Sequence, residues 1–132
     1  MKKVFLGGTC GDTTWRAELI PLLDFDYFNP FVEKWTVECV AEENRQKEEC
    51  SIHLYEITSR MSGTYSIGEI IESALFYPCK TIMNVVTDGF TTARLENLGM
   101  VMEMAKRHGV IVSKDYSIEK LAKMLNMTKE II

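Results

Sequence analysis

A carboxylate placed just past an apolar strand is the residue of this chain best suited to chemistry. The run Ile52-His53-Leu54-Tyr55-Glu56-Ile57-Thr58 reads as a strand, and Ser59-Arg60-Met61-Ser62-Gly63-Thr64-Tyr65-Ser66-Ile67-Gly68-Glu69 follows as a small-residue loop that opens a helix. Glu69 is thereby expected in the first turn of that helix, at the edge where open α/β sheets bind their ligands. A carboxylate there can attack an electron-poor carbon or exchange a proton. Ser66 and Glu69 also spell a capping box, in which each side chain satisfies a free N–H of the helix start. On spacing alone, capping is the better account of Glu69.

Other candidates gather around the same edge. Gly7-Gly8-Thr9-Cys10-Gly11 follows the first strand, and glycines there let the backbone approach a ligand while the next helix offers N–H groups. It is neither GxGxxG nor a P-loop, and it serves a ligand cradle and a tight turn equally well. Trp15 can stack on a planar base and Arg16 can pair with a carboxylate or phosphate, although packing and solvation are the commoner roles. Asn29 closes the second strand before Pro30, amid Tyr27, Phe28, Phe31 and Trp35; it can read a base edge or simply make a turn. Glu42, Glu43, Glu48 and Glu49 share a helix with Arg45 and Lys47. Most of these form a solvated, salt-laced face, with one carboxylate able to point at the strand ends. His53, inside a strand, reads as a hydrogen-bonded core or subunit-contact residue.

The elements that must position these residues follow from the apolar pattern. Strands are expected at Lys3–Leu6, Asp26–Phe28, Ile52–Ile57, Thr81–Val86 and Val110–Val112. Helices are expected from Trp15 to Leu23 with Pro21 disturbing the end, from a Thr36 cap through Glu48, and from Ser66 to about Phe76. Two more are expected: one along Leu95, Leu98, Met102 and Ala105 that stops at Gly109, and one capped by Ser117. Alternating strands and helices predict a parallel sheet covered on both faces, an α/β three-layer sandwich of flavodoxin or Rossmann type. The right-handed crossover rule favours the strand order 2-1-3-4-5. No repeat or linker divides the sequence, so residues 1–132 are expected to form one domain.

Composition narrows the function. The 132 residues are 46% apolar and 26% charged with a net charge of −4, which excludes a general nucleic-acid binder or a membrane-surface protein. No signal peptide and no run near the roughly 20 apolar residues of a membrane span is seen, so a cytoplasmic protein is expected. Cys10, Cys39, Cys50 and Cys79 never form a CxxC pair and are expected to be reduced structural thiols, with no metal site.

Taken as a set, several segments resemble the nucleoside 2-deoxyribosyltransferase superfamily, in particular its short bacterial and phage deoxyribosyltransferase-like branch. They are Lys3–Thr9 with Trp15-Arg16, Tyr27-Phe28-Asn29-Pro30, Arg45 with Glu48-Glu49-Cys50, and Tyr65-Ser66-Ile67-Gly68-Glu69. The resemblance covers about residues 3 to 125. It implies that Glu69 attacks C1′ of a deoxyribonucleoside and forms a glycosyl ester. It implies an assisting acid at about Glu43, with Glu42 one residue away. Gly8 and Thr9 would line the sugar site, Trp15 and Asn29 would face the base, and Ser62, Gly63, Thr64 and Ser66 would hold a 5′-hydroxyl or 5′-phosphate. Ser51 stands where that family often has an aspartate. No cofactor is implied, the substrate is a nucleoside or nucleotide rather than a polymer, and copies of the chain are expected to associate. A non-catalytic module that binds nucleotides in the same pocket is the alternative from another class.

Overall fold

Short runs rich in apolar and β-branched residues become strands in the computed structural model, which describes residues 2–11 and 13–128. β1 (Lys3–Gly8), β2 (Asp26–Phe28), β3 (Ile52–Ile57), β4 (Thr81–Val85) and β5 (Ile111–Lys114) pair in parallel, in the order β2-β1-β3-β4-β5. That is the order expected from the sequence. The connecting helices are α1 (Trp15–Leu19), α2 (Val37–Glu49), α3 (Tyr65–Phe76), α4 (Thr92–Arg107) and α5 (Ile118–Met127). α1 is cut short by a 3-10 turn, Ile20–Leu22, because Pro21 has no N–H to continue the ladder. Thr36, Thr91 and Ser117 cap α2, α4 and α5 by accepting from the N–H of Cys39, Arg94 and Lys120. None of the described helices is long and apolar enough to cross a membrane.

Side chains alternate across the strands and so divide the core in two. Val4, Leu6, Ile52, Leu54 and Ile82 pack with Trp15 and Leu19 of α1 and Leu121 and Leu125 of α5. Phe5, Tyr55, Ile57, Met83 and Val85 point the other way, toward Ile70 and Ala74 of α3 and Leu98 and Met102 of α4. Every residue of β3 is buried, as a central strand covered on both faces requires. The helices after β1 and β3 therefore lie on opposite faces, and the connections leaving those two paired strands diverge. Ligands of open α/β sheets bind at such a switch point.

Candidate active site

At that point a cavity of about 630 Å³ opens, with Gly7, Gly8, Arg16, Glu43, Ser66 and Glu69 in its wall. Phe31, Val32 and Trp35, from the segment leading into α2, and Val40 within it supply its apolar side. Gly8 is required where it stands. Its φ is +107°, and a Cβ there would collide with the Glu56 backbone of the neighbouring strand. The loop thus crosses directly over β3, where the Thr9 N–H donates to Glu56 O at 2.8 Å.

Glu69 is not a capping residue. α3 begins at Tyr65, with Thr64 as an N-cap that makes no side-chain bond, so Glu69 lies beyond the first turn, which holds no acid. The Ser66 hydroxyl donates instead to Gly8 O at 3.1 Å, tying the start of α3 to the glycine loop. The capping box expected from spacing fails because the helix starts one residue earlier than Ser66. Glu69 is 7% exposed and stands 2.7 Å from Nζ of Lys47 through Oε2. That oxygen is buried and, among the described residues, makes no aligned hydrogen bond.

Glu43 points inward from α2, at 3% exposure, and lines the same cavity. Burial, hydrogen bonding to Glu69 and the Glu69 charge push its carboxyl up to about 8, against the opposing pull of Lys47 and Arg16. Glu42 takes the other course. It lies outward and pairs with Arg45, which also bonds Glu49 at 2.6 Å. Two carboxyls thus share one buried site, one against the Lys47 ammonium and the other with its proton affinity raised, an arrangement suited to a nucleophile beside an acid.

Arg16 faces the cavity, but its guanidinium is a clamp on the loop. Nε donates to Leu6 O at 2.9 Å and Nη1 to Thr9 O at 2.8 Å. Burial lowers its pKa, with Cys10, Glu69 and Glu43 opposing. Cys10 and Gly11 also line the cavity, as do Ser62 and Gly63. Thr64 does not, and borders the adjoining hollow toward α4. Thr9 is buried below the loop, its hydroxyl accepting from Thr58 N at 2.8 Å, so it serves the turn rather than the wall.

Two expected base contacts are corrected. Trp15 packs on the α1/α5 face of the sheet and gives its indole N–H to Thr9 O at 2.9 Å, away from the cavity. An aromatic in the first turn of α1 is drawn into that face because α1 is the helix that covers it. Asn29 makes the turn: its Oδ1 accepts from Phe31 N at 3.0 Å, and the cavity begins only at Pro30. The aromatic wall comes from Trp35 and Tyr65, whose rings meet edge to face at 5.6 Å. Ser51 lies at the amino end of β3, where its hydroxyl bridges the Lys3 backbone, and it is not part of the cavity wall.

Lys47 escaped the sequence reading, which put it on a solvated face. The buried positions of α2 and its C-cap are Glu43, Gln46, Lys47 and Cys50, a helical stripe of i, i+3, i+4 and i+7. The apolar Cys50 at its end was the signal that could have oriented the helix. His53 is the core residue it was read to be, 0% exposed and lowered to about 4 by burial.

The family model described as "Nucleoside 2-deoxyribosyltransferase like" matches residues 1–90, which carry β1 to β4 and every residue of the cavity wall named above. No curated protein and no solved structure matches the chain.

Proposed function

The chain belongs to the nucleoside 2-deoxyribosyltransferase-like family, and on that premise we propose that its cavity cleaves or exchanges the N-glycosidic bond of a deoxynucleoside or its 5′-monophosphate. The observation that carries the reading is the pair Glu43 and Glu69, buried together behind the glycine loop, with Glu69 against the Lys47 ammonium and the Glu43 carboxyl raised to about 8.

In this reading a Glu69 oxygen attacks C1′ as the C1′–N bond breaks, and the departing base takes the proton of Glu43. Water or a second base then attacks C1′, returns a proton to Glu43 and releases Glu69 from the ester. Gly8 leaves room for the sugar, and the hydroxyls and N–H groups around Ser62, Gly63 and Ser66 at the start of α3 receive the 5′ group. Trp35 and Tyr65 sandwich or edge the base in place of Trp15. The reading also takes residues 1–132 as one cytoplasmic domain that needs no cofactor and works in associated copies.

One observation favours the alternative, a module that binds a nucleoside without turning it over. A carboxylate engaged by an ammonium, as Glu69 is by Lys47, is a weaker nucleophile than a free one. Incubation with a panel of deoxynucleosides and their 5′-monophosphates, with and without an acceptor base, separates the two. Chromatography should show released or exchanged base, and mass analysis a sugar added to the peptide that carries Glu69. Saturable binding with no release of base would defeat the enzyme reading.

A further inference from the structure

Lys47 has no part in the cleavage steps above, yet it is buried at 2% exposure against Glu69 of the site. Taking an ammonium out of water is costly unless its charge is matched. The match is one-sided: Nζ stands 2.7 Å from Glu69 and 3.8 Å from half-exposed Glu72, and among the described residues it forms no ion pair with Glu43. Tyr65 of α3, Tyr77 just past it, His53 of β3 and Lys80, whose ammonium donates to Lys47 O at 3.3 Å, also face Lys47, while Arg16 of α1 and Tyr55 of β3 face the same carboxyls. His53 is neutral there, and Arg16 is committed to backbone carbonyls.

The lysine is also held in place from both sides. In the tautomer that satisfies its neighbours, His53 donates through Nε2 to Lys47 O at 2.6 Å. Its Nδ1 accepts from the Ser73 hydroxyl at 3.4 Å, and Ser73 accepts from Tyr55 OH at 2.7 Å. Ser73 lies one turn beyond Glu69 on α3. One imidazole therefore brackets the backbone of Lys47 to the helix that carries its partner.

We propose that Lys47 is a positioning residue: its ammonium fixes the negative charge of the carboxyl pair on Glu69 and so leaves the proton on Glu43. This rests on the reading of Glu69 as nucleophile and of Glu43 as acid. Without the ammonium, two adjacent carboxyls divide one proton between them, and neither role is defined. With it, one oxygen set is charged before substrate arrives, while the other keeps a proton to give.

Carboxyl carbon NMR of isotopically labelled glutamate tests this without turnover, with Glu43 and Glu69 assigned by their loss in Glu43→Gln and Glu69→Gln. In Lys47→Met, or in Lys47→Gln should the first not fold, Glu69 takes up its proton about one to three pH units higher than in the parent protein, and Lys47→Arg restores it. The pH below which base release fails moves up with it. A Glu69 titration unmoved in a folded Lys47→Gln protein overturns the assignment. If the titration moves but no deoxynucleoside is turned over by the parent protein, the functional reading falls and the charge assignment stands.

Discussion

Buried glutamates stand on both faces of the sheet, Glu56 on one and Glu43 with Glu69 on the other, and only the pair makes the candidate site. Glu56, at the end of β3, is 1% exposed, and burial raises its carboxyl to about 7, with Asp115 adding and an Asn84 hydrogen bond opposing. Asn84 Nδ2 donates to Glu56 Oε1 at 2.7 Å and to Tyr116 O at 3.2 Å. Asn84 Oδ1 accepts from Ser113 Oγ at 2.7 Å and from Tyr116 N at 3.2 Å. The amide thus uses its full capacity to pin β3, β4 and β5 to the start of α5. The Glu43 and Glu69 cluster shares the burial and the raised proton affinity. Glu56 too borders a hollow, of about 420 Å³; the pair differs in having a second carboxyl, an ammonium, and a larger cavity of about 630 Å³ with a glycine loop and an apolar wall. A perturbed carboxyl marks a candidate for chemistry only when something remains for a substrate to engage.

The largest expected effect sets Glu69 against Glu56. Glu69→Gln should lower base release by about a thousandfold or more, because an amide cannot form the ester. Glu56→Gln, which keeps an oxygen for Asn84, should leave turnover per folded molecule within about threefold. Turnover measured beside far-ultraviolet circular dichroism checks both. Similar losses in the two variants would erase the contrast and make Glu69 another structural carboxyl.

A smaller effect sharpens the roles within the pair. Glu43 holds its proton up to about 8, so an acid-dependent rate should fall as pH rises through that value. Glu43→Gln should cost about a hundredfold at neutral pH and leave a rate that no longer declines between neutrality and mildly alkaline pH. A decline that persists in the variant would assign that limb to another group.

How much of this was legible beforehand depended on whether a residue's role is local. Strands and most helix bounds follow from apolar runs, Pro21, Gly109 and the Thr36 and Ser117 caps, because those signals act within a turn or two. Glu69 stood out from the strand-loop-helix layout, its role and the choice of Glu43 came from the family likeness, and the cavity brings the two together. Trp15, Asn29 and Thr9 were misplaced because the direction of a side chain between a strand end and a helix start depends on which face that helix covers, a tertiary fact. Lys47 was missed for a related reason. A helix whose inward stripe reads Glu43, Gln46, Lys47 and Cys50 has no apolar face to announce itself, since its buried charges are matched by α3 rather than by its own neighbours. The capping box shows the converse: a correct local motif set aside when Ser66 found Gly8 O across the cleft.

The smallest expected effect lies in stability and tests the structural half of the contrast. Glu56 has an ordinary carboxyl value of 4.5 when unfolded and about 7 in the folded protein. Between those values the folded state binds the extra proton, so its contribution is full below 4.5 and is lost as pH rises through 7. Glu43 acts with the same sign up to about 8, while His53, lowered to about 4, withdraws stability as pH falls below its ordinary 6.5. The raw pH dependence therefore mixes three groups, and only a difference between variants isolates one. Glu56→Gln carries no titrating proton, so relative to the parent it should gain about 1–2 kcal/mol on moving from pH 5 to pH 8. Urea denaturation at the two pH values measures this directly, and the gain should level off above pH 7. Parallel curves for parent and variant would mean that Glu56 stays ionised in its amide cradle, and that the two faces of the sheet differ less than their surroundings imply.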